Sequence, residues 1–376
     1  MPLLTLWERI SFFPRLLPLP AVLVYTAFKS FFHKGYRNRK LYRVIFDAAS
    51  RYVTGIASVR QLQWVNGPTS TMYEAWAKAH KVTPVVEILR GGEGKGLNLY
   101  WIGEKSAEHV LIYIHGGGFM LPISDFMFTF WSLVQQGVKT KSGGKTLAIA
   151  VLDYSLHPVT FPNQLTELIH TINHCSTGGP SGKPAAIHLA GDSCGANVIL
   201  QLVSHSFHPV PGVPVSPIPF ETQNPTPLRS ALLISPWTSL DEQTPSQMTN
   251  NVDALDAKTL RRWGSMYVSA IPRNSSAPDF DYTPYIKIHH APKDWLIGME
   301  RLVERVYITT GTAECLLDDA LLLHERLAGP EMQGLEVKMD IQDQGVHDDP
   351  IFDIGARSKQ LNAVGERIID WLAEGL

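Results

Sequence analysis

The chain has 376 residues, enough for one large α/β domain with an added lid or for two modest domains. Its hydrophobic share of 44% supports a sizeable core, and its formal net charge of −2 gives no basic surface for nucleic acid. Three cysteines, Cys175, Cys194 and Cys315, form no C-x-x-C pair and no disulfide framework, which fits a reducing compartment.

In chain order, Leu3 to Phe32 is rich in Leu, Phe, Val and Pro. Its longest uncharged run, Leu16 to Phe28, is 13 residues, short of the roughly 18 to 20 that span a bilayer, and Pro18 and Pro20 interrupt it. A small-residue cleavage site is not evident, so a signal peptide is not expected. The basic residues Lys34, Arg37, Arg39, Lys40 and Arg43 follow. Apolar residues beside basic ones suit a segment lying on a membrane surface; the competing reading is a helical lid over the active site, and the two are compatible.

Leu41 to His80 reads as helical. Val82–Leu89 and Leu97–Ile102 alternate like paired strands around Gly91-Gly92. His109–Ile114 is the next strand and runs straight into His115-Gly116-Gly117-Gly118-Phe119. Helical spacing covers Ser124 to Val138 and Asn163 to His174, with the apolar run Leu147–Leu152 between them as a strand buried on both faces. Ala186–Ala190 and Ala231–Ile234 are further buried strands; His205 to Arg229 is proline-rich and reads as a surface insertion. Leu240 to Pro292 is a mixed insertion with a helix at Asp256–Ser269, and Asn274-Ser275-Ser276 within it is an N-glycosylation sequon. Val306–Thr310 and Leu335–Met339 are the last strands, with helices at Asp318–Leu327 and Ser358–Leu372. The alternation predicts a mostly parallel sheet with helices on both faces, an N-terminal segment over 1–80 and a catalytic domain over 81–376.

Gly191-Asp192-Ser193-Cys194-Gly195 supplies the chemistry. A strand precedes it and a helix-forming stretch free of Gly and Pro follows, the context of a nucleophile elbow. The glycines allow close backbone approach, and the helix N-terminus adds a partial positive charge behind the serine. Ester hydrolysis then needs a base, a carboxylate to orient it and donors for the oxyanion. His347, on a loop after the last strand, is the base. Glu314, Asp318 and Asp319 follow Gly311; Glu314 lies closest to the strand end and is favoured as the acid, with the two aspartates expected to face solvent. Backbone N–H groups of Gly117, Gly118 and Cys194 make the oxyanion site, and Phe119 and Met120 are placed on an acyl pocket. His289-His290 has no ligand-spaced partner in the sequence, and no H-E-x-x-H occurs, so no metal is expected.

The chain resembles the hormone-sensitive-lipase-like branch of the α/β-hydrolases over roughly residues 80 to 376. The likeness rests on His115-Gly116-Gly117-Gly118-Phe119, Tyr154-Ser155-Leu156-His157-Pro158, the elbow, Ser235-Pro236-Trp237, and Glu314 to Asp319 with His347-Asp348. It departs where the family usually has Asp for Glu314, Pro for Cys315, Ala for Cys194 and Gly for Ala196. The resemblance implies an α/β-hydrolase fold with a helical lid and a serine carboxylesterase, lipase or deacetylase without metal or cofactor. Relatives like arylacetamide deacetylase and steryl acetyl hydrolase have hydrophobic N-termini and act on acetyl esters of apolar molecules. The expected partner is therefore a hydrophobic small-molecule ester, with membrane contact through residues 1–43 and an intracellular location, cytoplasmic or on an internal membrane surface. Two other readings are an acyltransferase on the same triad and a non-catalytic receptor, which would lack the histidine. The sequence leaves the oligomeric state open.

Overall fold

The computed structural model describes residues 4–90, 96–177, 186–218, 228–272 and 277–376; the Gly91-Gly92 turn, the Asn274 sequon and residues 219–227 of the first insertion lie outside them. Eight strands form one sheet: β1 (Val85–Arg90), β2 (Gly96–Ile102), β3 (His109–Ile114), β4 (Leu147–Asp153), β5 (Ala186–Asp192), β6 (Ser230–Ile234), β7 (Arg305–Gly311) and β8 (Glu336–Gln342). Their order is β1-β2-β4-β3-β5-β6-β7-β8. β1 and β2 pair antiparallel, β2 pairs antiparallel with β4, and every further pairing is parallel.

The period of two along each strand builds two cores from one sheet. Val110, Ile112 and Ile114 of β3, with Ala148, Ala150 and Leu152 of β4, face one side. Leu111 and Tyr113, with Leu147, Ile149 and Val151, face the other. The first side is covered by helices Asn163–Ser176, Cys194–Phe207 and Leu317–Leu327, the second by Thr69–His80, Asp125–Lys141 and Ala363–Glu374. Strands apolar on both faces are what this layering requires.

The expected elements are present, with three departures. The stretch Leu41 to His80 is three helices, Leu41–Ile56, Val59–Asn66 and Thr69–His80, separated at Ala57-Ser58 and at Gly67-Pro68. The last helix starts at Ala363, after a further short helix at Asp349–Gly355. The third departure is the N-terminus. Leu6–Ser30 is helical almost throughout, and is long and apolar enough to cross a membrane by length and composition. Counting uncharged residues alone underestimated it. Pro20 falls in the first turn of helix Leu19–Ser30 and Pro18 is that helix's N-cap, where a missing N–H costs nothing, so the prolines begin a helix instead of breaking one.

This segment is tied to the catalytic body. Helix Leu19–Ser30 packs on helix Leu41–Ile56. Tyr36 and Val44 bury themselves against Val252, Ala313 and Val346. Two of the five basic residues point inward: Arg43 is buried, 2.8 Å from Asp47 and 3.0 Å from Asp349, and Arg39 also pairs with Asp47. Lys34, Arg37 and Lys40 remain exposed.

Candidate active site

Ser193 stands between β5 and helix Cys194–Phe207 with φ 53° and ψ −120°. A positive φ on a residue with a Cβ is strained and persists only where the surroundings hold it. Here the Ser193 N–H donates to Ile234 O at 2.9 Å, and Trp237 N–H donates to Ser193 O at 3.0 Å, so the Ser235-Pro236-Trp237 loop clamps the elbow. Gly195 has to be glycine: a Cβ there would sit 1.9 Å from the carbonyl oxygen of Ile114. Ser193 is 3% exposed and faces a cavity of about 350 Å³.

The base and the acid meet at the carboxyl ends of β7 and β8. His347 Nδ1 lies 2.9 Å from Glu314 Oε1, and both side chains are buried. The other Glu314 oxygen accepts from Ser235 Oγ at 3.0 Å, Thr310 Oγ1 at 2.9 Å and Gly311 N–H at 3.0 Å. Burial pushes the Glu314 carboxyl above its usual range, and the His347 hydrogen bond works against that. For His347 burial favours the neutral ring, but Asp348 and Glu314 outweigh it and hold the imidazole well above its ordinary value. Among the described residues, Nε2 of His347 contacts Asp348 Oδ2 at 3.1 Å, and it makes no hydrogen bond to Ser193.

Of the three acid candidates, Glu314 is the one that reaches the histidine. Asp318 and Asp319 were expected to face solvent and do not. Asp319 is buried and accepts from Thr238 N–H at 2.7 Å and Ser239 N–H at 2.5 Å, which fixes the loop after Trp237. Asp318 accepts from Ser246 N–H at 2.7 Å. Position in the first turn of Leu317–Leu327 turns both back toward that loop.

On the glycine loop, Gly116 N–H is occupied by Asp192 Oδ1 at 2.8 Å, and Phe119 N–H by Cys194 Sγ at 3.1 Å. Gly117 and Gly118 lie between them with free backbone direction; Gly118 has φ 63°, and a Cβ there would meet the Trp263 ring at 2.5 Å. The Cys194 thiol also lies beside the Gly118 N–H. As the first residue of its helix, Cys194 has an N–H without an intrahelical acceptor. Gly117 and Cys194 are thus the amides left for an oxyanion, and Gly118 could join them by turning from the thiol.

Phe119 and Met120 are a correction. Both are fully buried in the core, and Phe119 stacks on Tyr267 with ring centroids 4.0 Å apart. The loop turns at Phe119 (φ 64°), which carries these side chains behind the glycines and away from the cavity. The cavity wall is instead Leu121 and Pro122, Phe126 and Met127, Trp237 and Trp263, and a roof of Phe46, Ala49, Ser50 and Val53 from helix Leu41–Ile56. No motif marks the roof; its signal is the apolar face of that helix.

The reading of His289-His290 also changes. Long-range folding brings Glu242 to both, 3.1 Å from His289 Nε2 and 2.8 Å from His290 Nε2, a spacing compatible with an ion. Lys287 Nζ, however, is 2.8 Å from the same carboxylate and 2.6 Å from Asp241, so a lysine already neutralises the cluster. Sequence reasoning also passed over Asp253, which is buried and accepts from His347 N–H at 2.8 Å and Cys315 N–H at 2.7 Å, holding the histidine and acid loops together. The three cysteines are free and buried.

An eight-stranded, mostly parallel sheet with a serine elbow and a Glu–His pair at its carboxyl edge defines an α/β-hydrolase. Solved esterases share the fold. One from Rhizomucor miehei is 19% identical at a TM-score of 0.63, covering 89% of this chain and 94% of its own. One of the bacterial hormone-sensitive lipase family is 18% identical at 0.58, covering 90% and 99%. Carboxyl esterase 2 from Tuber melanosporum is 17% identical at 0.59, covering 78% and 88%. No curated protein sequence matches significantly. The family model for steryl acetyl hydrolase matches residues 98–362, so the chain belongs to the steryl acetyl hydrolase family and is a carboxylic ester hydrolase.

Proposed function

We propose that this hydrolase is a serine esterase that works through an acyl-enzyme on Ser193 and removes acyl groups, acetyl foremost, from a hydrophobic small molecule. The observation that carries the reading is the buried 2.9 Å Glu314–His347 pair beside a serine held at positive φ. His347 takes the Ser193 proton as Oγ attacks the ester carbonyl. The N–H groups of Gly117, Gly118 and Cys194 hold the oxyanion. Glu314 fixes the tautomer and stabilises the imidazolium. His347 then protonates the leaving alcohol, and water cleaves the acyl-enzyme by the reverse path.

The apolar cavity supports a hydrophobic substrate. Its roof helix, Leu41–Ile56, is the one on which helix Leu19–Ser30 packs. The latter exposes Val24, Tyr25 and Phe28, continued by Phe31 and Phe32. We place this face, with Lys34, Arg37 and Lys40 beside it, on the surface of an intracellular membrane, where an apolar ester is concentrated.

The test is hydrolysis of p-nitrophenyl esters from acetate to decanoate, with wild type and Ser193→Ala side by side. The expected result is a preference for short acyl chains and a loss of about 10⁴-fold or more in kcat for the variant. Equal rates in the two proteins would overturn the serine mechanism. No turnover by folded wild type, with acyl transfer to an added alcohol, would make it an acyltransferase.

A further inference from the structure

Around His347 the fold gathers more carboxylate than a triad uses. Asp348 is buried, in the left-handed region at φ 49°, with its N–H donated to Ser235 Oγ at 3.0 Å. Ser235 in turn donates to Glu314 at 3.0 Å. The same hydroxyl therefore orients the acid on Nδ1 and anchors the residue on Nε2. A residue with a Cβ is held at positive φ only against a cost, and here that conformation brings its carboxylate to 3.1 Å from the nitrogen that has to serve Ser193.

Behind Asp348 lies Asp192, the second residue of the elbow motif. Asp192 Oδ1 accepts from Tyr113 Oη at 2.5 Å and Gly116 N–H at 2.8 Å. Asp192 Oδ2 and Asp348 Oδ1 are both buried and have no donor among the described residues. In so dry a site a second carboxyl nearby works against ionisation of Asp192. Burial first, and then Asp348, keep the Asp192 carboxyl well above its usual range.

The other charged groups near His347 are accounted for. Glu314 comes from the loop after β7, and Asp253 accepts the His347 backbone N–H at 2.8 Å. From the roof helix Arg43 reaches Asp47, Asp349 and Asp353, and Arg39 reaches Asp47; these arginines are engaged away from the imidazole. The side chains in direct polar contact with the ring are thus Glu314 on one nitrogen and Asp348 on the other.

We infer that Asp348 is a positioning residue that parks His347: its carboxylate holds the Nε2 proton and keeps the imidazolium off Ser193, so that ester attack switches on only as the medium becomes alkaline. This rests on Ser193, Glu314 and His347 being the triad. In the switching step the imidazolium gives its Nε2 proton to hydroxide in the cavity, forming water, and the neutral ring turns from Asp348 to Ser193 Oγ. Activity therefore rises with pH along a limb displaced upward from the ordinary histidine value of about 6.5.

The experiment is the pH dependence of kcat/KM for p-nitrophenyl acetate in wild type and Asp348→Asn, with Ser193→Ala measured alongside as background. The wild-type limb should centre at least about one pH unit above 6.5, and the Asn variant's should fall by about one to three pH units. At pH 6.5 the variant then keeps roughly tenfold more of its own plateau than wild type keeps. A purely structural role would lower the plateau and leave the limb in place, and that result would overturn the inference. Should Asp348→Asn not fold, ¹⁵N-histidine NMR of the wild type decides. A His347 ring still protonated at pH 7 supports parking; a neutral ring at pH 7 refutes it. Residual activity in Ser193→Ala at the wild-type level refutes the triad itself, a separate outcome.

Discussion

Two helices of this protein have much the same apolar character and opposite fates. In helix Cys194–Phe207, behind the nucleophile, every residue from Cys194 to His205 is buried. In helix Leu19–Ser30, built of Leu, Pro, Ala, Val, Tyr and Phe, Thr26 is the one buried residue. The first lies against the sheet and is covered on its outer side by Tyr285 and Ile286; the second has protein on one side only, where it meets helix Leu41–Ile56. Apolar sequence states a need for an apolar surrounding, and the topology decides who provides it. For the elbow helix the sheet and the insertion between β6 and β7 provide it; for the N-terminal helix the described residues do not. The bilayer proposed above would cover this apolar face, with the exposed lysine and arginine beside it.

The sharpest contrast between the two regions is catalytic. Glu314→Gln keeps the shape of the buried site but replaces the acceptor on His347 Nδ1 with a group that stabilises the wrong tautomer. We expect kcat to fall by about 10⁴-fold while the melting temperature changes little. A loss of tenfold or less would assign the acid role elsewhere. Packing gives the next largest effect. Leu200, in the middle of the elbow helix, is 1% exposed, and Leu200→Ala should cost about 2 to 5 kcal/mol by urea unfolding.

What the sequence made legible divides along the same line. Strands buried on both faces announce themselves as unbroken apolar runs, and the glycines at Gly191, Gly195 and Gly116 to Gly118 mark turns that tolerate no Cβ. The fold and the Ser193 position follow from those signals, and Glu314 and His347 from their places on the loops after the last two strands. Contacts made across long separations had no local signature. Asp253 sits 94 residues before the histidine whose loop it anchors. Glu242 reaches His289 and His290 over 47 and 48 residues. Phe119 and Met120 looked like pocket residues because they follow the glycine loop, yet one left-handed residue reverses where side chains point. The N-terminal segment reads as short for a different reason: Pro18 and Pro20 look like interruptions of an apolar run, although at a helix start a proline is no break.

The exposed region is tested by its own loss. Phe28 and Phe32 are 64% and 74% exposed, with ring centroids 5.1 Å apart. Changing both to Ser removes about 3 kcal/mol or more of transferable apolar surface, so binding to phosphatidylcholine–phosphatidylserine vesicles should weaken about a hundredfold in a flotation assay. Ester hydrolysis of a soluble substrate should be unchanged. If vesicle binding survives intact, the face is not the docking surface.

The smallest effect is the most discriminating. Val24 is 71% exposed on a helix as apolar as the one holding Leu200. Val24→Ala removes two methyl groups that touch water, and it replaces a β-branched residue with a better helix former. Unfolding free energy should therefore stay within about 0.5 kcal/mol of wild type, a small fraction of the cost of Leu200→Ala. Vesicle affinity should fall by no more than about fifteenfold, at roughly 0.8 kcal/mol per group lost from the bilayer. A destabilisation of 1 kcal/mol or more in the absence of lipid would mean that protein covers Val24 in solution, in a second copy of the chain. The two helices would then differ in which chain buries them, and no longer in whether a chain does.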